Sequence, residues 1–147
     1  MELPAAARRI LFTGSRKWHD VERVRRIVWS LPAGTVVIHG GHRDRRNPRI
    51  SLDAIVDRLA RERGLPVEVY EAEWTVHEPG WCRCTPAQKA ERGWCEMAGP
   101  RRNQRMLDEA KPTECHAFTL PGCRGTLDMM ARCKAAKIPG VEHRAAA

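Results

Sequence analysis

Three times in this chain a short apolar run ends in a glycine turn, and each time a helical pattern follows. The stretches are "ILFTGSR" (10–16), "VVIHGG" (36–41) and "FTLPGCRGT" (118–126). A short uninterrupted apolar run closed by glycine suits a strand buried on both faces, as in a parallel sheet. Parallel neighbours need a long crossover, usually a helix, and the intervening segments carry helical spacing. In "HDVERVRRIVWSLP", Val21, Val24, Ile27, Val28 and Leu31 recur on one side, with Asp20 as N-cap and Pro32 as stop. In "SLDAIVDRLARERG", Ser51 caps, Leu52, Ile55, Val56 and Leu59 face inward, and Gly64 ends the helix. "LPVEVYEAEW" alternates as a third strand, and "TECHAFTL" (113–120) is a fourth. "AGPRRNQRMLDEAKP" between them is a helix with Pro100 in its first turn. "PGCRGTLDMMARCKAAKIPG" is a turn and then a helix with Met129, Met130 and Cys133 on one side, and "VEHR" is a short last strand before frayed terminal alanines. The expectation is an α/β fold: a single Rossmann-like three-layer domain over 1–147, with a mostly parallel sheet of about five strands.

Residues 75–99 break that rhythm. They hold Pro79, Gly80, Pro86, Gly93 and Gly99, three cysteines and two tryptophans, with a short helix near "PAQKAERG". A loop of this length inside a compact domain is usually functional or held by something. His77, Cys82, Cys84 and Cys95 offer one imidazole and three thiols. Four soft ligands fill a tetrahedral zinc site and leave no open position, so a bound zinc would be structural. Three incidental thiols are the plainer reading, and both stand open at this point. Cys115, Cys123 and Cys133 fall in strand, turn and helix and read as packing residues, with Cys123 in the pocket turn. The sequence shows no signal-peptide core and no apolar run near the ~18 residues of a membrane span. A cytoplasmic protein is expected, in which six cysteines argue against a disulfide framework.

Lysine and arginine exceed the acids by eight. That excess favours anionic partners such as nucleotides or nucleic acid; it equally reflects an Arg- and Ala-rich composition. The clusters "RVRR" (23–26), "RDRRNPR" (43–49) and "RRNQR" (101–105) lack the interleaved aromatics of a single-strand-binding surface.

Ligands of open parallel sheets sit beyond the carboxyl ends of the strands, where strand order reverses. All three glycine turns are expected at that edge. Gly14, Ser15 and Arg16 would hold one anionic group, the serine through its hydroxyl and the arginine through its fork. Gly122, Arg124, Gly125 and Thr126 would hold another at a helix N-terminus. His39, Gly40 and Gly41 close the second strand, and the histidine there suggests ligand contact. Trp18 and Trp74 could stack on a base, but as single aromatics near strand ends they read as packing residues.

Taken in order, "ILFTGSRKWHD", "VVIHGG", "AEW", "AGPRRNQRML" and "FTLPGCRGTLDMM" resemble the SLOG superfamily, which groups the DNA-processing protein DprA with the LOG phosphoribohydrolases. The chain looks most like the YspA-like branch, found in bacteria and their phages, over roughly residues 8–141. The resemblance implies binding or sensing of a phosphate-bearing nucleotide or nucleotide-sugar of the ADP-ribose type. It places Arg102 and Asn103 of "RRNQRM" at the ligand. LOG enzymes pair a "PGGxGTxxE" turn with that helix, to cleave an N-glycosidic bond. Here Cys123 replaces the second glycine and Met129 stands at the glutamate. A LOG-like enzyme would have to work through Arg102 and Asp128, yet neighbouring helical positions diverge by about 100°. The kinship with DprA adds nucleic-acid binding as a third reading. Related proteins often form homo-oligomers, though no segment here identifies an interface.

Overall fold

Each apolar run becomes a strand with its glycine turn at the carboxyl end. The computed structural model describes residues 8–44, 46–47 and 49–145. Arg45 and Pro48 of the basic loop and the terminal Ala146 and Ala147 lie outside them, and with the last two the expectation of fraying. The elements are β1 (Arg9–Gly14), α1 (Val21–Ser30), β2 (Val36–His39), α2 (Leu52–Glu62) and β3 (Val67–Val69). They continue with α3 (Pro86–Arg92), α4 (Ala98–Arg105), β4 (Glu114–Thr119), α5 (Arg124–Ala135) and β5 (Gly140–Arg144). The five strands pair in parallel in the order β3-β2-β1-β4-β5. From β1 the chain builds outward first to β2 and later to β4, so the switch point lies between β1 and β4. Their register sets Gly14 beside Phe118.

Alternation along the strands divides the core. Ile10 and Phe12 pack with Val24 and Val28 of α1 and with Leu52, Ile55, Val56 and Leu59 of α2. Leu11 and Ile38 face the other way, towards Met106, Leu107, Met129 and Cys133. Both faces of the sheet are covered, which is why the strands read as unbroken apolar runs. Helix ends follow their signals. The Asp20 carboxylate accepts the Arg23 N–H at 3.2 Å and the Ser51 hydroxyl accepts that of Ala54 at 3.0 Å. Gly64 follows α2 at φ 76°, the left-handed stop that glycine tolerates.

Three elements differ from expectation. The third strand pairs only over Val67–Val69. Tyr70 donates a last backbone bond to the His39 carbonyl at 2.9 Å, and beyond it β2 has already diverged into its glycine turn. Thr126, Met129 and Cys133 form the buried side of α5 while Met130 is only half-buried, because helical neighbours point different ways. α4 also runs on into a π-helical turn, Met106–Ala110, a widening that spacing alone does not announce. No helix among the described residues is long and apolar enough to cross a membrane.

Candidate functional site

The first glycine turn is welded to its neighbours. A Cβ at Gly14 would lie 2.5 Å from the Leu52 Cγ, so only glycine lets α2 close onto the end of β1. The Ser15 N–H donates to the Phe118 carbonyl, and the Ser15 carbonyl accepts from the N–H groups of Trp18 and Leu52, all at 3.1 Å. The Ser15 hydroxyl oxygen accepts the Lys17 N–H at 3.0 Å. Turn, β4 and α2 are thereby fixed against one another.

The second turn is shaped around an arginine. A Cβ at Gly40 would stand 2.4 Å from the Arg102 Nη1. Without it, Nη1 donates to the carbonyls of Gly40 at 2.6 Å and Tyr70 at 3.3 Å, while Nε donates to the Asn103 side-chain oxygen at 3.0 Å. Burial draws the guanidinium below its usual pKa and the nearby Asp53 charge opposes that; an arginine so placed stays charged. The Asn103 amide donates to the Gly125 carbonyl at 3.2 Å and to Asp128 at 3.0 Å, which ties α4 to the third turn.

These turns enclose a cavity of about 380 Å³ at the carboxyl edge of the sheet. Gly14, Ser15, Arg16, Gly40, Arg102, Asn103, Gly122, Arg124, Gly125 and Thr126 all line it, as does Cys123. No side chain among the described residues caps the N-terminus of α5. The Arg124 N–H is spent on the Gly122 carbonyl at 2.9 Å, but the N–H groups of Gly125 and Thr126 and the helix dipole face an anion in the cavity.

Two lining residues carry no signal in the sequence. Lys17 stands beside Arg16 and pairs with Asp44 at 2.7 Å; its ammonium and the Arg46 backbone hold that carboxylate below its ordinary pKa. Asp53 is the single carboxylate among the described residues that line the cavity and is only 6% exposed. It accepts the His42 N–H at 2.9 Å. An acid in the first turn of α2 reads in the sequence as an ordinary complement to the helix dipole.

Other expected site residues lie elsewhere. His39 is buried beneath the turn; its Nδ1 accepts the Gly41 N–H and its Nε2 meets Asp57, each at 2.9 Å. Both ring nitrogens are used in holding the turn, and His39 does not line the cavity. Gly41, at φ 65°, lines an adjoining cavity instead. Asp128 is turned towards Asn103 and Arg132, at 3.0 and 2.8 Å. It fastens α5 to α4 and does not line the cavity. Met129, at the LOG glutamate position, is fully buried in the core.

A second constellation lies in the 75–99 segment. The donor atoms of His77, Cys82, Cys84 and Cys95 all fall within 4.8 Å of one another. Zinc–sulfur bonds of about 2.3 Å at tetrahedral angles set ligand atoms about 3.8 Å apart, so the cluster fits such an ion after a small contraction. The Arg92 guanidinium, donating to the Cys84 sulfur at 3.4 Å, brings that thiol down to about 7. Burial pushes Cys95 up. α3 is capped by Thr85 and Gln88 reciprocally but buries no residue. Arg101 of α4 pairs with Glu73 and Glu78 at 3.7 and 3.2 Å, which moors the segment to the sheet domain.

Comparison with known proteins accords with this geometry. A family model described as the YspA, cpYpsA-related SLOG family matches residues 8–77. That span holds the first two glycine turns, Asp53 and His77. The Gene 61 protein of Mycobacterium phage D29 is 33% identical over 145 residues, covering 90% of this chain and 93% of that protein.

Proposed function

The chain belongs to the YspA, cpYpsA-related SLOG family, and on that premise we propose that its cleft binds a phosphate-bearing nucleotide or nucleotide-sugar of the ADP-ribose type. Membership points to nucleotide-related binding or processing; the finer reading draws on the cleft. One observation carries it: two glycine turns, an uncapped helix N-terminus and the Arg102 guanidinium line a single cavity. A phosphate there gains backbone donors at Gly125 and Thr126, the Thr126 hydroxyl, and the charges of Arg16 and Lys17. The Cys3His cluster is read as a structural zinc site, with His77, Cys82, Cys84 and Cys95 as its ligands. When bound, the ion supplies cross-linking of the loop and no open coordination position.

Asp53 gives a second reading, a LOG-like phosphoribohydrolase. It is a shielded carboxylate in the same cavity as Arg102, where Asp128 is already engaged by Asn103 and Arg132. In that reaction the C1′–N bond breaks and a water oxygen bonds to C1′. The water's proton passes through Asp53 to the leaving base. The basic clusters provide no comparable support for nucleic-acid binding. "RVRR" lies on α1 and "RRNQR" on α4, which cover opposite faces of the sheet, and Arg25, Arg101 and Arg105 are each paired with glutamate.

One experiment addresses both readings: titration with ADP-ribose and AMP, followed by assay for free base and ribose 5-phosphate. Saturating ligand, at a hundred times Kd, is expected to stabilise the protein by about 2.7 kcal/mol. Arg16→Ala should weaken binding by about tenfold. Binding without release of base favours the sensor. Release that Asp53→Asn abolishes and Asp128→Asn leaves intact favours the enzyme. No binding of either compound overturns the cleft as a nucleotide site.

A further inference from the structure

We propose that the cavity adjoining the phosphate cradle is a nucleobase subsite, in which an aromatic base stacks against Trp74 and Trp94. The proposal rests on the nucleotide reading of the cleft and deepens it. The adjoining cavity, about 580 Å³, shares Arg16, Gly40, His42 and Arg102 with the first. A ligand whose phosphate lies on the glycine turns can thus extend directly into it.

The two indoles are exposed yet held. Trp74 is 41% and Trp94 42% accessible, and both line this cavity. Large aromatics on a surface need a reason beyond packing when they wall a cavity beside an anion site. The Cys95 N–H donates to the Trp74 carbonyl at 2.7 Å, which joins the two tryptophan-bearing segments. Arg92 backs Trp94, its guanidinium carbon 4.1 Å from the ring centroid. Gly99 leaves room for the Trp74 ring, whose Cη2 would lie 3.3 Å from a Cβ there, and His42 meets that ring edge-on at 6.1 Å. Rings fixed before binding lose little freedom on it. Glu71 is the one carboxylate among the described residues lining this cavity, an acceptor suited to the amino group of a base. The geometry therefore points to a nucleoside phosphate with an amino-bearing base. A bare sugar phosphate would engage only the glycine-turn half.

Calorimetric titration with AMP and, separately, ribose 5-phosphate tests this. The unaltered protein should bind AMP at least about tenfold more tightly, the size of one base–aromatic stacking contact. Trp94→Ala and Trp74→Ala should each remove most of that advantage and leave ribose 5-phosphate affinity unchanged. Trp94→Phe should keep most of it. Both side chains are exposed, so unchanged melting curves will verify that the variants fold. Equal affinity for the two compounds, or AMP binding indifferent to both alanine variants, overturns the base subsite and leaves the phosphate cradle standing. Failure of both compounds to bind overturns the cradle, and the subsite with it.

Discussion

Met129 occupies the position at which a LOG enzyme carries its glutamate, and its side chain is 0% exposed in the core cluster that includes Leu11 and Ile38. Restoring the residue type would therefore not restore a site. Met129→Glu places a carboxylate among the apolar side chains of Leu11, Ile38 and Met106, at a cost of about 3–5 kcal/mol for an uncompensated buried charge. The variant should melt roughly 10 °C lower, the shift such a loss gives in a chain of this size, and should gain no hydrolytic activity. A variant as stable as the parent would show that position 129 opens towards the cleft after all. The cleft carboxylate that is present, Asp53, cannot be picked out in the sequence, because an acid in a first helical turn has an everyday electrostatic reason to be there. His39 illustrates the converse. A histidine before a glycine pair invites a ligand role, but both its nitrogens are engaged by Gly41 and Asp57. Glycines are more legible: Gly14 and Gly40 punctuate the sequence at the two places where Leu52 and Arg102 approach the backbone too closely for a Cβ.

At the level of elements, strands and helices were readable because burial on both faces of the sheet leaves an apolar run and an amphipathic helix in alternation. What escaped was decided by partners. β3 stops where β2 diverges, and the π-helical end of α4 depends on packing that no local pattern encodes. The outer pair of strands makes a measurable case of such partnership. His116 of β4 and His143 of β5 stack, and His116 Nδ1 lies 2.9 Å from His143 Nε2. Burial lowers the pKa of both rings; that of His143 falls to about 4, with the charges of His116 and Arg23 contributing, while Glu114 works the other way on His116. In the unfolded chain each titrates near its ordinary value of about 6.5. Between those limits the unfolded chain binds more protons, so stability should be full above about pH 7 and fall as pH drops from 6.5 towards 4. Glu114 and Glu142, both held low chiefly by hydrogen bonds from arginine side chains, lose their contributions only lower still. Urea unfolding at pH 7.5 and pH 5 should resolve the decline, and His143→Phe should flatten it. An identical decline in that variant would assign the effect elsewhere.

The whole molecule joins two kinds of stability. The sheet and its covering helices bury apolar side chains on both faces. The 75–99 segment buries almost none: α3 contributes no core residue, and Cys95 is the one buried cysteine of its cluster. Its order must come from polar moorings such as Arg101 with Glu73 and Glu78, together with the proposed zinc. Exposed ion pairs contribute at most about 1 kcal/mol each, whereas a structural zinc is worth far more. Removal of the ion should therefore act unevenly. Metal analysis of the purified protein is expected to find about one zinc per chain, the stoichiometry of a closed four-ligand site. A strong chelator should expose residues 75–99 to limited proteolysis while the far-ultraviolet signal of the sheet domain persists. Trp94, next to Cys95, should then lose its fixed position, and AMP affinity should fall towards that of ribose 5-phosphate. Protein free of zinc whose loop resists protease equally with and without chelator would show that the ion pairs suffice. It would remove the metal from the loop without touching the proposed phosphate cradle, whose glycine turns are held by the sheet.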